Sequence, residues 1–434
     1  MLNAANSTPF AVYVHWPWCK AKCPYCDFNS HESTIHEETY VRAVLNDFHF
    51  WGDSGITGDH KTSPFFTSQR PIASLFFGGG TPSLMSAHSL AQIIDSCSKL
   101  GKISHNTEIT LECNPTSFDS NKEAIDFFNE LKSIGINRVS IGIQGLKQEW
   151  LEFLGRHHSA EESLKTLDAA QQVFDNVNAD VIYGLPSQKL EEWTDQLSLL
   201  AERNLAHISA YQLTIEPNTH FFRDVRKGLW EPVSSDVEAD FFDATREILS
   251  HHNYINYEIS NFAKPGKHCV HNTHVWQYGE YLGIGAGAHG RVRTEDNHII
   301  ATHVIRQPDG YLRRTANSEP TIITHSLTAA ETAQEAIFLG LRLLEGVDME
   351  SLQKTFGKQV YEEAISTSDI TLLCQSGLLQ IKANHLQLTQ TGWPRLNAIL
   401  SRILRPLNTP NTTKQNETPS NPTAYKPPRY VVIK

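Results

Sequence analysis

The sequence predicts an α/β fold with a parallel sheet, joined to a smaller, mainly helical domain, and three observations carry that expectation. Through roughly the first three hundred residues, short apolar runs alternate with longer amphipathic ones. Polar and glycine-rich segments follow several of the apolar runs, as they do where loops leave the C-terminal edge of a parallel sheet. Beyond residue 330 the alternation gives way to helical periodicity.

In chain order, the strands are AVYVHW at 11–16, ASLFFG at 73–78, EITLEC at 108–113 and RVSIGIQG at 138–145. DVIYGLP at 180–186, ISAYQLTIEP at 208–217 and NYINYEI at 253–259 complete the set. Between them, residues 87–100, 121–134, 160–174 and 236–251 place apolar side chains every three or four positions, the spacing of helices that cover a sheet. Residues 51–71 hold turn formers without periodicity and read as an irregular connection. Residues 291–329 read as a connector with some local structure. In 330–400, AAETAQEAIFLGLRLLEG supplies an amphipathic helix, and SGLLQIKANHLQLTQTGWPRLNAIL a small hairpin followed by a helix, a winged-helix-like order. Residues 401–434, rich in Pro, Thr and Asn, read as a flexible tail. Its Asn-Glu-Thr tripeptide has the form of a glycosylation acceptor, which the lack of a secretory signal argues against.

Composition narrows the function classes. Against 37 Lys and Arg stand 48 Asp and Glu, a net charge of −11, so no general electrostatic footprint for nucleic acid is present and no nucleic-acid partner is expected. Seven cysteines in 434 residues do not make a disulfide scaffold. The first residues show neither a signal peptide nor a transit pattern, and no run of about 20 apolar residues occurs. The expectation is a cytoplasmic protein, with peripheral membrane contact left open.

Three of the cysteines crowd into WPWCKAKCPYCDF. Cys19, Cys23 and Cys26 have the spacing Cys-x3-Cys-x2-Cys, which lets three thiolates converge from one loop. Soft anionic donors suit the iron of a [4Fe-4S] cluster, whereas structural zinc calls for a fourth ligand and redox-active cysteines need no metal at all. A cubane held by three thiolates leaves one iron open to a small molecule. The loop and its context, YVHWPWCKAKCPYCDF, resemble the radical S-adenosylmethionine (SAM) superfamily. The resemblance implies a partial (β/α)6 radical-SAM barrel over residues 10–290, with SAM bound at the open iron and cleaved to a deoxyadenosyl radical on reduction.

Further residues gain meaning beside that loop. Gly78, Gly79, Gly80 and Thr81 form FFGGGTP after an apolar strand, where missing side chains admit a ligand and Thr81 offers a hydroxyl. By resemblance this turn meets the amino group of SAM. Glu112 in TLECNP, Gln144 in VSIGIQG, Arg156 in FLGRHH and Asp180 in NADVIYGLP match cofactor-contact positions of the anaerobic coproporphyrinogen oxidase-like branch. Tyr13 and Tyr25 match residues near the cofactor. Read without the resemblance, these residues are equally ordinary caps, ion pairs and aromatic packing.

The resemblance covers roughly residues 10–400, and its family contains both oxygen-independent coproporphyrinogen III oxidase and a haem chaperone relative. One departure separates them: Cys26 is followed by Asp27 and Phe28, where the oxidase branch has a further cysteine at the Phe28 position. The chain also reaches YVHW after only 12 residues, where the oxidase has a longer arm. Both point to the haem chaperone branch, which implies haem as cargo and a respiratory haem protein, with membrane association allowed, as acceptor. Alternatives are the oxidase itself and an iron–sulfur redox switch that controls partner docking. HCVHNTHVW supplies His268, Cys269, His271 and His274 as candidate iron ligands. His271 matches the histidine of the family's HNxxYW-like haem motif, in which Val275 here replaces tyrosine while Trp276 is kept. Trp276 and Tyr278 are candidate covers for porphyrin faces. In GEYLGIGAGAH, His289 either faces the cofactor pocket or serves a turn, while Cys97, Cys113 and Cys374 show no diagnostic pattern and are expected to be buried packing cysteines.

Overall fold

The structure is a computed structural model that describes residues 8–53, 66, 69–115, 118, 120–294 and 298–407. Most of the irregular stretch expected at 51–71, and the tail from residue 408 with its Asn-Glu-Thr segment, lie outside the described residues, whereas residues 401–403, expected as tail, end a helix, and Ile403 and Leu404 are buried. Six parallel strands form the centre: β1 (Phe10–Trp16), β2 (Ile72–Gly79), β3 (Glu108–Cys113), β4 (Arg138–Gln144), β5 (Val177–Tyr183) and β6 (His207–Gln212). The connections carry α1 (Glu37–Asp53), α2 (Ala87–Leu100), α3 (Asn121–Ser133), α4 (Gln148–Phe153), α5 (Ala160–Val173) and α6 (Leu190–Glu202). After β6 come α7 (His220–Arg226), α8 (Ser235–His251), β7 (Ile255–Asn256), β8 (Asn261–Ala263) and α9 (Val270–Trp276). This is the partial (β/α)6 arrangement expected from the resemblance.

The strand sequences alternate because each strand has two unlike faces. Val12, Val14 and Trp16, Leu75 and Phe77, Ile109 and Leu111, and Val139, Ile141 and Ile143 join the hydrophobic core beneath the helices. Their neighbours Tyr13, His15, Ser74, Thr110, Glu112, Arg138, Ser140, Asn178, Asp180 and His207 turn to the other face, so the lumen is polar although largely buried. Helix starts follow local chemistry: Ser86, Ser120 and Ser159 each accept the N3 amide of the following helix, and Glu162 completes a capping box with Ser159.

The sheet continues on both sides, in the order β12-β11-β10-β9-β1-β2-β3-β4-β5-β6-β8-β7. Strands β9 (Tyr281–Ile284), β10 (His289–Arg293), β11 (Ile299–Val304) and β12 (Ile322–Ser326), with α10 (Pro308–Ala316), lie beyond β1. The local structure within 291–329 is therefore an antiparallel extension of the main sheet, paired residue by residue from His289–His303 to Ile300–Ser326.

The C-terminal part runs through α11 (Ala329–Gly340), β13 (Val347–Asp348), α12 (Met349–Phe356), α13 (Lys358–Ala364), α14 (Thr367–Gln375), β14 (Leu379–Lys382), β15 (His385–Leu388) and α15 (Leu396–Ile403). Its core, from Ile337 and Leu341 to Trp393 and Ile399, also takes in Phe242 of α8. It docks through Arg291, whose guanidinium forms two 2.8 Å bonds to Glu335, both side chains almost fully buried. Trp276 packs on Leu339 and Leu343 beneath the Arg342 guanidinium, 4.4 Å from the ring centroid. No helix among the described residues is long and apolar enough to cross a membrane.

Candidate functional site

The loop after β1 folds back over the C-terminal edge of the strands. The Cys26 amide donates to Cys23 O at 3.1 Å, a tight turn that brings two of the three cysteines to one side, and the Cys19 amide donates to His31 O, closing the loop at its base. All three thiols are partly exposed and unbridged. Each has a donor or hydroxyl close by. Thr81 Oγ1 lies 3.5 Å from Cys19 Sγ, Arg156 Nη1 is 3.4 Å from Cys23 Sγ, and Ser30 Oγ is 3.6 Å from Cys26 Sγ. Burial raises the pKa of the Cys19 and Cys26 thiols, with the hydroxyls of Thr81 and Ser30 acting against it.

Among the described residues, no three His, Cys, Asp or Glu side chains meet where a single metal ion could sit. Three thiols carried on one loop, each beside a hydroxyl or guanidinium, are soft donors of the kind an iron–sulfur cluster takes. The donor set thus fits the [4Fe-4S] group expected from the spacing. Arg156 also supplies a buried positive charge at the rim, and Tyr25 lies beside it and Cys23, its phenol pKa raised chiefly by burial.

The glycine turn packs closely against β1 and the start of the cysteine loop. Gly79 has φ of +113°, and a Cβ there would lie 2.5 Å from the His15 ring, while one on Gly80 would lie 2.4 Å from Trp18 O. Glu112 accepts the Gly79 amide at 3.2 Å, tying β3 to the turn after β2. Gln144 ends β4 at φ +67° beside a register shift, and its amide nitrogen lies near Gly142 together with Asn114 and Arg156. Asp180 lies deeper, accepting from Ser140 at 2.7 Å and Asn178 at 3.1 Å. Tyr13 donates or accepts at His15 Nδ1, 3.0 Å away.

Two residues without an individual signal in the sequence are central here. Asn114 accepts from Arg156 and donates to Thr81 Oγ1 at 2.9 Å. It thereby closes a chain of contacts from Cys23 through Arg156, Asn114 and Thr81 to Cys19. His15 supports the glycine turn and bonds Asn29 O in the cysteine loop at 2.9 Å. Neither carries a motif, and their partners are distant in sequence.

His271 is not with the others. It lies at the N-terminal end of the strands, where its Nδ1 meets Ser74 Oγ at 2.9 Å and its amide donates to Glu108, the first residue of β3, at 3.0 Å. Its ring packs 4.8 Å from Phe76 and 6.2 Å from Tyr13, and burial pushes its pKa down to about 3. Cys269 is buried against Glu108, His274 bonds Glu280 O, and His268 stacks on Tyr257 at 4.3 Å. Val275 is buried between Ala11 and Tyr281, and Trp276 faces α11.

A partial parallel barrel, a three-cysteine loop over its C-terminal edge and a polar lumen define a radical-SAM-type protein. Consistently, the Radical SAM superfamily profile matches residues 65–200 and the HemN C-terminal domain profile matches 327–395. The chain is 34% identical over 402 residues to the heme chaperone HemW of Escherichia coli (strain K12), spanning 91% of this chain and 98% of that protein. It is 34% identical over 409 residues to the mitochondrial radical S-adenosyl methionine domain-containing protein 1 of Mus musculus, covering 92% and 88% of the two chains. The fold of Escherichia coli coproporphyrinogen III oxidase (HemN) superposes with a TM-score of 0.72 at 19% identity, over 91% and 90% of the chains, which shows a shared fold. The chain belongs to the HemW family of radical SAM proteins, a superfamily whose members use an iron–sulfur cluster and SAM.

Proposed function

We propose that this protein is a haem chaperone that takes up haem and passes it to a respiratory haem protein. The observation that carries the reading is the match to a heme chaperone over 98% of that protein's length, and Phe28 in place of the oxidase branch's cysteine supports it. In this reading Cys19, Cys23 and Cys26 hold a [4Fe-4S] cluster, and Tyr13, Tyr25, Gly79, Gly80, Thr81, Glu112, Gln144, Arg156 and Asp180 line the SAM site. When bound, the cluster with SAM supplies one-electron chemistry or a redox signal to the fold. The chain does the rest: Arg156 pairs with the ligand carboxylate, Glu112 and the Gly79 turn receive its amino end, and the cysteine loop keeps water from that edge. The protein acts in the cytoplasm, with an acceptor that is membrane-associated in this reading.

The test is anaerobic reconstitution of the full chain followed by parallel titrations with ferric haem and with SAM. Haem uptake without conversion of coproporphyrinogen III to protoporphyrinogen IX is the expected result. Stoichiometric conversion would instead make the protein an oxidase, and failure to take haem would remove the chaperone reading.

A further inference from the structure

A buried chain of hydrogen bonds runs through the lumen from Asp180 to the start of α9. Asn178, two residues before Asp180 on β5, donates through Nδ2 to Asp180 Oδ1 at 3.1 Å and to Ser140 Oγ at 2.7 Å, and Ser140 donates in turn to Asp180 Oδ2 at 2.7 Å. The register sets His207 of β6 opposite Asn178, and its Nδ1 meets Asn178 Oδ1 at 2.6 Å. His207 Nε2 lies 2.8 Å from the Tyr257 hydroxyl, which accepts the Cys269 amide at 3.2 Å. Cys269 is the N-cap of α9. None of Asn178, His207, Tyr257 and Cys269 is more than 5% exposed, so solvent does not compete along the way.

Both ends have fixed polarity, and they agree. A carboxylate only accepts, which turns the Asn178 amide so that Nδ2 faces Asp180 and Oδ1 faces His207. A backbone amide only donates, so the Tyr257 oxygen accepts from Cys269 and its proton points on to His207. Burial holds the His207 imidazole neutral, helped by Arg138 and His268, and its one N–H falls on Nδ1. Every donor from Cys269 to Asn178 therefore points toward Asp180. No member can turn round without setting two donors or two acceptors face to face. Glu108 holds the first turn of α9 separately, accepting the amides of Val270 at 3.1 Å and His271 at 3.0 Å.

We propose that His207 and Tyr257 are positioning residues that hold Asp180 in place and couple the SAM site to α9. A ligand group donating to Asp180 fixes the carboxylate, the carboxylate pins Asn178, Asn178 pins His207, and each bond strengthens the next down to the Cys269 amide. Helix α9 then opens less often with SAM bound, and by reciprocity a tightened α9 raises SAM affinity by the same factor. Occupancy at the cluster end of the lumen is thereby felt by the helix that carries His271. The coupling rests on Asp180 belonging to the SAM site, and it deepens that reading.

The experiment is amide hydrogen exchange, followed by mass spectrometry, on the anaerobically reconstituted full chain with and without SAM, alongside SAM affinity from the cluster's paramagnetic spectrum. SAM should slow exchange severalfold in the peptide containing α9 as well as in the cysteine loop. Tyr257→Phe removes one hydroxyl, keeps the ring stacked on His268 and leaves α9 held by Glu108. It should lose the response at α9, keep the one at the cysteine loop, and bind SAM severalfold more weakly. Ser209→Ala, which takes a buried hydroxyl from Asn178 but lies off the path to α9, should keep both responses. An α9 that ignores SAM in the wild-type chain while the cysteine loop responds would overturn the coupling and leave the SAM site standing. So would a wild-type α9 response or unchanged SAM affinity in Tyr257→Phe, or a loss at α9 in Ser209→Ala as complete as in Tyr257→Phe. A wild-type chain that responds to SAM nowhere defeats the SAM-site reading, and the coupling with it.

Discussion

Arg156 Nη1 stands 3.4 Å from Cys23 Sγ, a contact that joins the loop after β1 to the turn after α4 across 133 residues of sequence. The same guanidinium also reaches Gly142 O at 3.0 Å and Asn114. A ligand carboxylate arriving at the cysteine loop therefore meets a guanidinium already aimed and largely desolvated.

Replacing it tests that aim. Arg156→Ala should weaken SAM binding by roughly tenfold to a hundredfold, the range for a lost charge-assisted hydrogen bond of about 1.5–3 kcal/mol. Lysine should recover little, because one ammonium cannot serve Cys23, Asn114 and a carboxylate at once. SAM affinity followed by the change in the cluster's paramagnetic spectrum is the measurement, and wild-type affinity in the alanine variant counts against the assignment.

Asn114 should matter through Arg156 and Thr81. Asn114→Ala removes an acceptor from one and a donor from the other, so the cluster's reduction potential and SAM affinity should both move. Asn114→Asp keeps the acceptor and should preserve SAM affinity better than alanine does. Equal behaviour of the two variants would show that the contact with Arg156 is immaterial.

Cys23→Ser should abolish the cluster while leaving the fold. The chromophore and bound iron are the readout, with circular dichroism as the control. A serine variant that retains the full [4Fe-4S] spectrum would exclude Cys23 as a ligand.

Much of this was legible beforehand, and the remainder was hidden for physical reasons. The helix at 87–100 and the strand at 108–113 match the structure to the residue because caps and alternation are local signals. Helix α1 was not singled out; its tyrosine, two phenylalanines and tryptophan pack partly in the core and partly at its edge, which blurs the stripe. The extension β10–β12 escaped notice because antiparallel pairing of short strands leaves little trace in any one segment. At the site, the cysteines announced themselves by spacing, whereas Asn114 acts only through partners 33 and 42 positions away.

Acid should destabilise the fold in a definite window. Burial lowers His158 and His289 to about 4 and His271 to about 3. The unfolded chain takes up these protons below its ordinary histidine pKa of about 6.5 while the folded chain refuses them, so stability is full above that value and falls as the pH drops towards 4, by about 1.4 kcal/mol per pH unit and proton. Asp47, raised to about 6 by burial, works the other way, because folding favours its protonated form. The histidines outnumber it. Urea unfolding at about pH 7 and about pH 5 should show the loss, and His271→Asn should flatten the slope by one proton; a level profile would contradict both.

The pair Arg291–Glu335 should be expensive to break. Glu335→Gln leaves a buried guanidinium without its counter-charge, and the expected cost is about 3–5 kcal/mol. Chemical denaturation measures it, and a loss below about 1 kcal/mol would mean that water or Tyr278 takes over the role.

Helix α9 gives one face to the lumen through His271 and the other to α11 through Trp276. The two domains consequently share a wall. A fragment cut at the sequence boundary near residue 327 would strip Leu339 and Leu343 of their cover on one side and uncap the barrel floor on the other. Neither half is then a self-sufficient part, and swaps of the C-terminal segment between relatives will succeed only when the α9 contacts travel with it.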